Sequence, residues 1–230
     1  YGDMAYLPYF AVPETAHFGG HAFVVFGLDE ESDEVYISDR GMNPVTITIE
    51  ELQRARGSKF PPFPAGHRML KIRCPSKIEI ESMKSSIEAG IKDCCDSMLK
   101  SPVRNLGLAG IQKWADAVVK WPLQFKGSNL FGCLFNTFLY IETAGTGGSA
   151  FRTMYAKFLE EASSVVDKPA LDEAAEMFRE SGKVWSEIAN AALPDDWPAL
   201  RRTRELLIEK NRLFEAQQPG ALERMNQINA

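Results

Sequence analysis

The hydrophobic pattern changes character near Pro75. Before it, short alternating runs are punctuated by glycine and proline; after it, apolar residues recur at helical spacing. His21 to Leu28 is rich in β-formers, Asp29 to Asp33 has turn chemistry, and Glu34 to Ser38 is β-rich again, which predicts a hairpin. Thr46, Thr48 and Glu51 open a short helix that runs to Arg56 and stops at Gly57; Thr48 and Glu51 have the spacing of a capping box. A proline-rich loop (Phe60 to Pro64) leads to a strand predicted over Arg68 to Arg73. Beyond Pro75, Ile80, Met83, Ile87, Ile91, Cys94 and Met98 step by three and four, a stripe capped by Ser76 with Glu79. Ile111, Trp114, Val118 and Trp121 mark the next helix, ended by Pro122. Leu130 to Ile141 is apolar all round and is expected at the centre of a bundle. Three more stripes follow: Phe151 to Val166, Leu171 to Ala192, and Leu200 to Phe214, the last entered through Asp196 and Pro198. The pattern predicts an α+β protein, with a β-rich piece at 1–75 and an all-helical piece at 76–230.

Composition narrows the function classes. The 230 residues are 45% hydrophobic and 25% charged, an ordinary globular balance. The 26 Lys and Arg against 31 Asp and Glu give a formal charge of −5, so no nucleic-acid or anionic-membrane partner is indicated. Cys74, Cys94, Cys95 and Cys133 are too few and too scattered for a disulfide framework, which points to reduced thiols and a cytoplasmic setting. No run is long and uncharged enough to span a bilayer. The opening, Tyr1 to Tyr9, has neither a methionine start nor a basic n-region; it reads as the middle of a longer chain.

The sharpest chemical feature is Gly19-Gly20-His21 leading into Ala22-Phe23-Val24-Val25-Phe26-Gly27. The glycines allow close approach of another segment, and a histidine at the start of a buried strand is held by rigid backbone. Val35-Tyr36-Ile37-Ser38-Asp39 ends the antiparallel partner, so His21 and Asp39 are expected as neighbours within hydrogen-bond reach. A carboxylate beside an imidazole orients the ring, as the second and third members of a nucleophilic triad require; the same pair also occurs as a purely structural hydrogen bond. No local nucleophile completes it. Cys94 and Cys133 fall on packed helix positions, Cys95 neighbours a stripe without belonging to it, and only Cys74 is placed for exposure. His17 and His21 are four apart with two glycines between them and His67 is distant, a poor pattern for a metal site.

These segments resemble a known family. His21-Ala22-Phe23-Val24-Val25, then Val35-Tyr36-Ile37-Ser38-Asp39, then Ile49-Glu50-Glu51-Leu52-Gln53-Arg54-Ala55-Arg56 resemble the C-terminal half of papain-like cysteine enzymes, including bacteriocin-processing peptidases. The closer resemblance is to the butirosin biosynthesis protein H family, through Asp3-Met4-Ala5-Tyr6-Leu7-Pro8-Tyr9 and through Ile141-Glu142-Thr143-Ala144-Gly145-Thr146-Gly147-Gly148 with its helical flanks. The resemblance implies a C-terminal antiparallel β half of a papain-like fold followed by a helical bundle. It implies acyl transfer through a cysteine thioester, from a carrier-protein phosphopantetheine to an amine acceptor, in natural-product assembly. His21 would be the general base and acid and Asp39 its orienting partner, with the nucleophile upstream of Tyr1. No tightly bound cofactor is implied; phosphopantetheine would arrive as carrier-bound substrate. A peptidase or amidase of the same fold, and a binding module for a carrier protein or peptide, are the alternatives.

The segment Gly147-Gly148-Ser149 opens the Phe151 helix, and its backbone amides are candidates for a phosphopantetheine phosphate. The plainer assignment is a helix–helix turn with Gly145 as C-cap, Ser149 as N-cap and Arg152 paired with Glu142. The helical aromatics (Trp114, Trp121, Phe131, Phe135, Phe138, Trp185 and Trp197) suit a core, with a partner groove as their other use. Arg201, Arg202 and Arg204, beside Glu205 and Glu209, suit a solvated face, or less readily a docking face for an acidic carrier protein. Apolar surface left uncovered on the β-rich piece could pair copies of the chain into a homo-oligomer.

Overall fold

The computed structural model describes residues 1–41, 43–73, 75–77, 79–144, 146–216 and 218–229. It is α+β: a three-stranded antiparallel sheet with helices around it and after it. The chain divides into two compact units, Tyr1–Arg73 with Glu205–Ala230, and Cys74–Arg204. This differs from a split into 1–75 and 76–230, because residues 205–230, the larger part of the penultimate helix and all of the last, group with the sheet. The reason is aromatic packing: Phe214 stacks on Phe10 with ring centroids 4.9 Å apart and joins the same core as Leu7, Val35, Ile37 and Met225.

In the first unit the sheet is β1 (Val24–Asp29), β2 (Glu34–Ser38) and β3 (Val45–Ile47), in that spatial order. The predicted hairpin is present, with Val24 opposite Ser38 and a register shift between Val25 and Gly27. Val35 and Ile37 of the central strand are fully buried. β1 is not the buried strand expected of its composition: Val24 and Phe26 are each 58% exposed, and Val25 and Leu28 are exposed too. As an edge strand it is paired on one side only, and neither of its faces is well covered. The third strand is Val45–Ile47, which includes Thr46, read from sequence as part of a helix start. No strand forms over residues 68–73, where Met69, Leu70 and Ile72 stay exposed without a neighbouring strand to pair with.

Helix α1 (Ile49–Gly57) begins as its sequence requires. The Glu51 amide donates to Thr48 Oγ1 at 3.1 Å and the Thr48 amide to Glu51 Oε2 at 2.8 Å, a complete capping box.

The second unit contains α2 (Ile80–Leu99), α3 (Gly107–Val118), α4 (Trp121–Gln124), α5 (Gly127–Phe138), α6 (Arg152–Val166) and α7 (Ala170–Ala192). Several local expectations are corrected here. Helix α2 is preceded by Glu79 with no side-chain cap, so Ser76 does not cap it. Trp121 and Pro122 open α4 rather than close α3, since proline is tolerated in the first helical turn. Helix α5 passes into a π-helical turn (Leu139–Thr143) and is not buried all round: Phe138 and Ile141 are buried, whereas Phe131 and Tyr140 are exposed. Helices α6 and α7 pack through small residues, with Ala156, Leu159 and Ala175 in one core. A Cβ at Gly182 would sit 3.3–3.4 Å from Ser149, Arg152 and Thr153, so this glycine sets how closely α7 approaches the start of α6.

Helix α8 (Pro198–Ala216) runs across the boundary between the units, and α9 (Ala221–Asn229) follows Pro219-Gly220. Arg204 is not part of a free basic face: it donates to the Leu193 carbonyl at 3.0 Å and pairs with Asp195. Among the described residues no helix is long and apolar enough to cross a membrane.

Candidate active site

The sheet register brings His21 and Asp39 together. Val24 pairs with Ser38, so the residues before β1 lie beside those after β2, and Asp39 comes alongside His21. Two further contacts fix the histidine backbone. The Gly2 amide donates to the His21 carbonyl at 2.9 Å. Gly19 admits the proline-rich loop, because a Cβ there would lie 2.3 Å from the Ala65 amide nitrogen and 2.5 Å from the Phe63 carbonyl oxygen.

His21 Nε2 lies 2.7 Å from Asp39 Oδ2, and the Asp39 side chain is only 2% exposed. The Tyr9 hydroxyl donates to the same oxygen at 2.8 Å, and the Arg40 amide donates to Oδ1 at 2.7 Å. Burial alone would raise the Asp39 pKa. The His21 hydrogen bond and charge, the Tyr9 hydroxyl and the Arg40 amide outweigh it and hold the carboxyl below its ordinary value. Burial and the Asp39 charge push the Tyr9 phenol far upward, so Tyr9 stays a donor.

This electrostatic arrangement assigns the imidazole tautomer. An ionised carboxylate only accepts hydrogen bonds, so Nε2 carries the proton facing Asp39. In the neutral ring the lone pair is then on Nδ1, which has no hydrogen-bond partner among the described residues. The ring is held edge-on to Phe10, with centroids 4.8 Å apart at 84°, and Phe23 lies 6.2 Å away at 23°. Phe10 is in turn stacked on Phe214, and the Arg40 guanidinium sits 4.8 Å over the Phe214 ring. The arrangement can position and polarise one basic nitrogen.

Tyr9, Phe10 and Phe214 carry this geometry and were not singled out from the sequence as site residues. Tyr9 and Phe10 fall in a short 3-10 turn (Pro8–Phe10) with no periodicity to expose a role, and Phe214 is remote in the chain. Another histidine–carboxylate pair also escapes sequence inspection. His17 Nδ1 lies 3.0 Å from Asp3 Oδ2, and His17 stacks on Phe60 with centroids 3.5 Å apart. Asp3 is fully buried and also accepts from the Ser58 hydroxyl at 2.5 Å and the Phe18 and Ala5 amides at 2.9 and 3.1 Å. Burial raises its pKa, but these donors overcome that and leave it below the ordinary carboxylate range. With all its neighbours engaged, this pair ties the opening segment to the loop after α1. His17 and His21 thus have separate carboxylates, and no group of three or more metal-ligating side chains forms among the described residues.

The unit that carries His21 contains no cysteine. Cys94 and Cys133 are half-buried in the helical unit, Cys95 is exposed there, and Cys74 lies outside the described residues. Gly147, Gly148 and Ser149 are also in the helical unit. Both glycines are left-handed (φ 65° and 84°), and the Ser149 hydroxyl lies 3.0 Å from that of Thr153 and 3.3 Å from that of Ser186. Ser149 is not the N-cap of α6; that position is taken by Phe151. Arg152 does not pair with Glu142 but donates to the Ala150 carbonyl at 2.6 Å. The Gly145 C-cap lies outside the described residues.

Comparison with known proteins gives two family matches. Residues 50–205 match the family described as domain of unknown function DUF4872, and residues 1–40 match the family described as butirosin biosynthesis protein H, N-terminal. No curated protein and no solved structure matches the chain.

Proposed function

The chain belongs to the DUF4872 family, and from that premise we propose that its first unit supplies the base machinery of a cysteine-dependent acyltransferase of natural-product assembly. The observation that carries this reading is the His21–Asp39 contact, with Tyr9 and Arg40 completing the carboxylate shell and Nδ1 left as the basic nitrogen. The match of residues 1–40 to the butirosin biosynthesis protein H model supports the biosynthetic setting. The absence of cysteine from this unit, together with the uncovered strand β1, supports a thiol contributed by a segment that precedes Tyr1 and packs on the sheet in the papain-like manner.

In this reading His21 Nδ1 takes the cysteine proton, and the thiolate attacks the thioester carbonyl of an acyl group on a carrier-protein phosphopantetheine. The carbon–sulfur bond to the carrier breaks, and the imidazolium returns its proton to the departing pantetheine thiolate. The acyl-enzyme is then attacked by an amine; His21 removes the amine proton and protonates the leaving cysteine sulfur, so the amide is formed and the free thiol regenerated. Asp39 stabilises the imidazolium throughout and remains ionised.

The test uses the protein with its preceding segment, incubated with acetyl- and aminoacyl-charged carrier proteins and followed by intact mass. An acyl adduct should form and be discharged by an added amine, and His21→Gln should slow its formation by about 10²–10⁴-fold. Absence of an adduct from either donor in a folded protein, or an unimpaired His21→Gln variant, would overturn the assignment. Hydrolysis of a peptide bond in place of amine acylation would identify a peptidase instead.

A further inference from the structure

The helical unit holds a pocket of about 600 Å³ lined by three tryptophans and one arginine. Trp114, Trp121 and Trp185 form one wall: Trp114 stacks on Trp185 at 6.1 Å and meets Trp121 edge-on at 6.3 Å. These tryptophans therefore line a cavity rather than fill a core. A volume of this size suits a small molecule.

The only charged side chain among the described lining residues is Arg152. Its guanidinium lies 5.1 Å from the Trp185 ring centre and spends one nitrogen on the Ala150 carbonyl. No carboxylate pairs with it among the described residues, although it is half-buried. The backbone that leads into it is irregular. Ser149, Ala150 and Phe151 are three successive non-glycine residues with left-handed φ (53°, 48° and 69°), an arrangement side chains resist. The π-helical turn Leu139–Thr143 contributes Tyr140 and Ile141 to the same lining, and such turns recur at functional sites.

From this we infer that the pocket binds a small ligand in which an aromatic or alkyl body carries a carboxylate. The tryptophan wall takes the body, and the unpaired N–H groups of Arg152 take the carboxylate, a planar match that an ammonium could not make. With no acidic lining residue to offset Arg152, an amine of the same shape is repelled. The site lies wholly within the helical unit and stands independently of the His21–Asp39 proposal.

Tryptophan emission reads the pocket directly, because three of the four tryptophans line it and the fourth, Trp197, is exposed. The full chain is titrated with 4-phenylbutyrate, 4-phenylbutylamine and the neutral 4-phenylbutanol. The acid should give a saturable change, with a dissociation constant about tenfold or more below that of the amine. Arg152→Gln should weaken the acid by about tenfold and abolish its advantage over the alcohol. Asn136→Asp, which adds a carboxylate to the lining without touching Arg152, should weaken the acid and strengthen the amine. Equal binding of acid and amine, no saturation with the acid, or an Asn136→Asp variant that leaves the preference unchanged would overturn the proposal. So would an Arg152→Gln variant that binds the acid normally.

Discussion

Replacing Asp39 by asparagine separates the structural job of this carboxylate from its effect on the imidazole. The Arg40 amide is a backbone donor that cannot reverse, so the asparagine oxygen must take the place of Oδ1. The new NH2 group then faces Tyr9 and His21, where Oδ2 accepted at 2.8 and 2.7 Å. The Tyr9 hydroxyl can rotate and accept. His21 can accept at Nε2 only by moving its proton to Nδ1, which occupies the nitrogen needed as a base. Three charge-assisted contacts become neutral ones, but the buried charge and its desolvation cost vanish as well, so the net loss of stability is about 1 kcal/mol. Asp39→Ala instead leaves three donors without an acceptor at about 1–3 kcal/mol each, for a net loss of about 3–5 kcal/mol after water and relaxation. The 15N spectrum of the imidazole rings at alkaline pH reads the tautomer, and only His17, His21 and His67 contribute. Native His21 should show the proton on Nε2 and the asparagine variant on Nδ1, while the tyrosine near-ultraviolet dichroism of the unit survives. A native ring protonated on Nδ1, or an asparagine variant as unstable as the alanine one, would refute the assigned hydrogen-bond directions.

Other perturbations test the same unit, whose unfolding is followed by tyrosine dichroism because it holds four of the six tyrosines and none of the four tryptophans. Asp3 and Asp39 both have pKa values held below the usual carboxylate range, so folding releases protons; their stabilisation is complete above about pH 4 and is lost as pH falls through the folded values. Urea midpoints measured from neutral pH downward should therefore drop in acid, and an Asp3→Asn, Asp39→Asn double variant should flatten that drop; an equally steep drop in the double variant would contradict it. Phe214→Ala should destabilise the unit by about 3–5 kcal/mol and leave tryptophan emission unchanged, whereas a joint loss of both signals would contradict the grouping of Glu205–Ala230 with the sheet. Gly19→Ala should cost at least about 1–3 kcal/mol through overlap with the Ala65 backbone, read as a lower urea midpoint.

The parts of this fold legible in the sequence are those in which cause and consequence lie a few residues apart. The Thr48–Glu51 capping box needs three residues to be seen, and the β1–β2 hairpin needs about fifteen; both form as read. The His21–Asp39 contact is legible for the same reason, since antiparallel pairing converts a known turn into a known juxtaposition. What failed were inferences that treated apolar character as burial. Val24, Phe26, Met69, Leu70 and Ile72 are as apolar as core residues but are exposed, because burial depends on what arrives from elsewhere. Thr46 shows the converse. Taken locally, Thr46 introduced a helix, yet an adjacent strand made it part of a sheet.

The same distinction explains why half of the candidate site was hidden. His21 and Asp39 are chemically conspicuous and locally paired, but the groups that determine what they can do are not. Tyr9 donates to the carboxylate from thirty residues away, and Phe214 stacks on the Phe10 ring that meets the imidazole edge-on, from the far end of the chain. A phenylalanine on a helical stripe gives no sign of which ring it will meet. The tryptophans of the helical unit make the point in reverse: their spacing is that of a core, and only the cation beside them, unpaired and held by a left-handed turn, marks the space between them as a place for a ligand. In both units, then, the sequence-visible residue supplies the chemistry, while its surroundings decide which atoms of it are taken: Nε2 of His21 by Asp39 in one, one guanidinium nitrogen of Arg152 by the Ala150 carbonyl in the other.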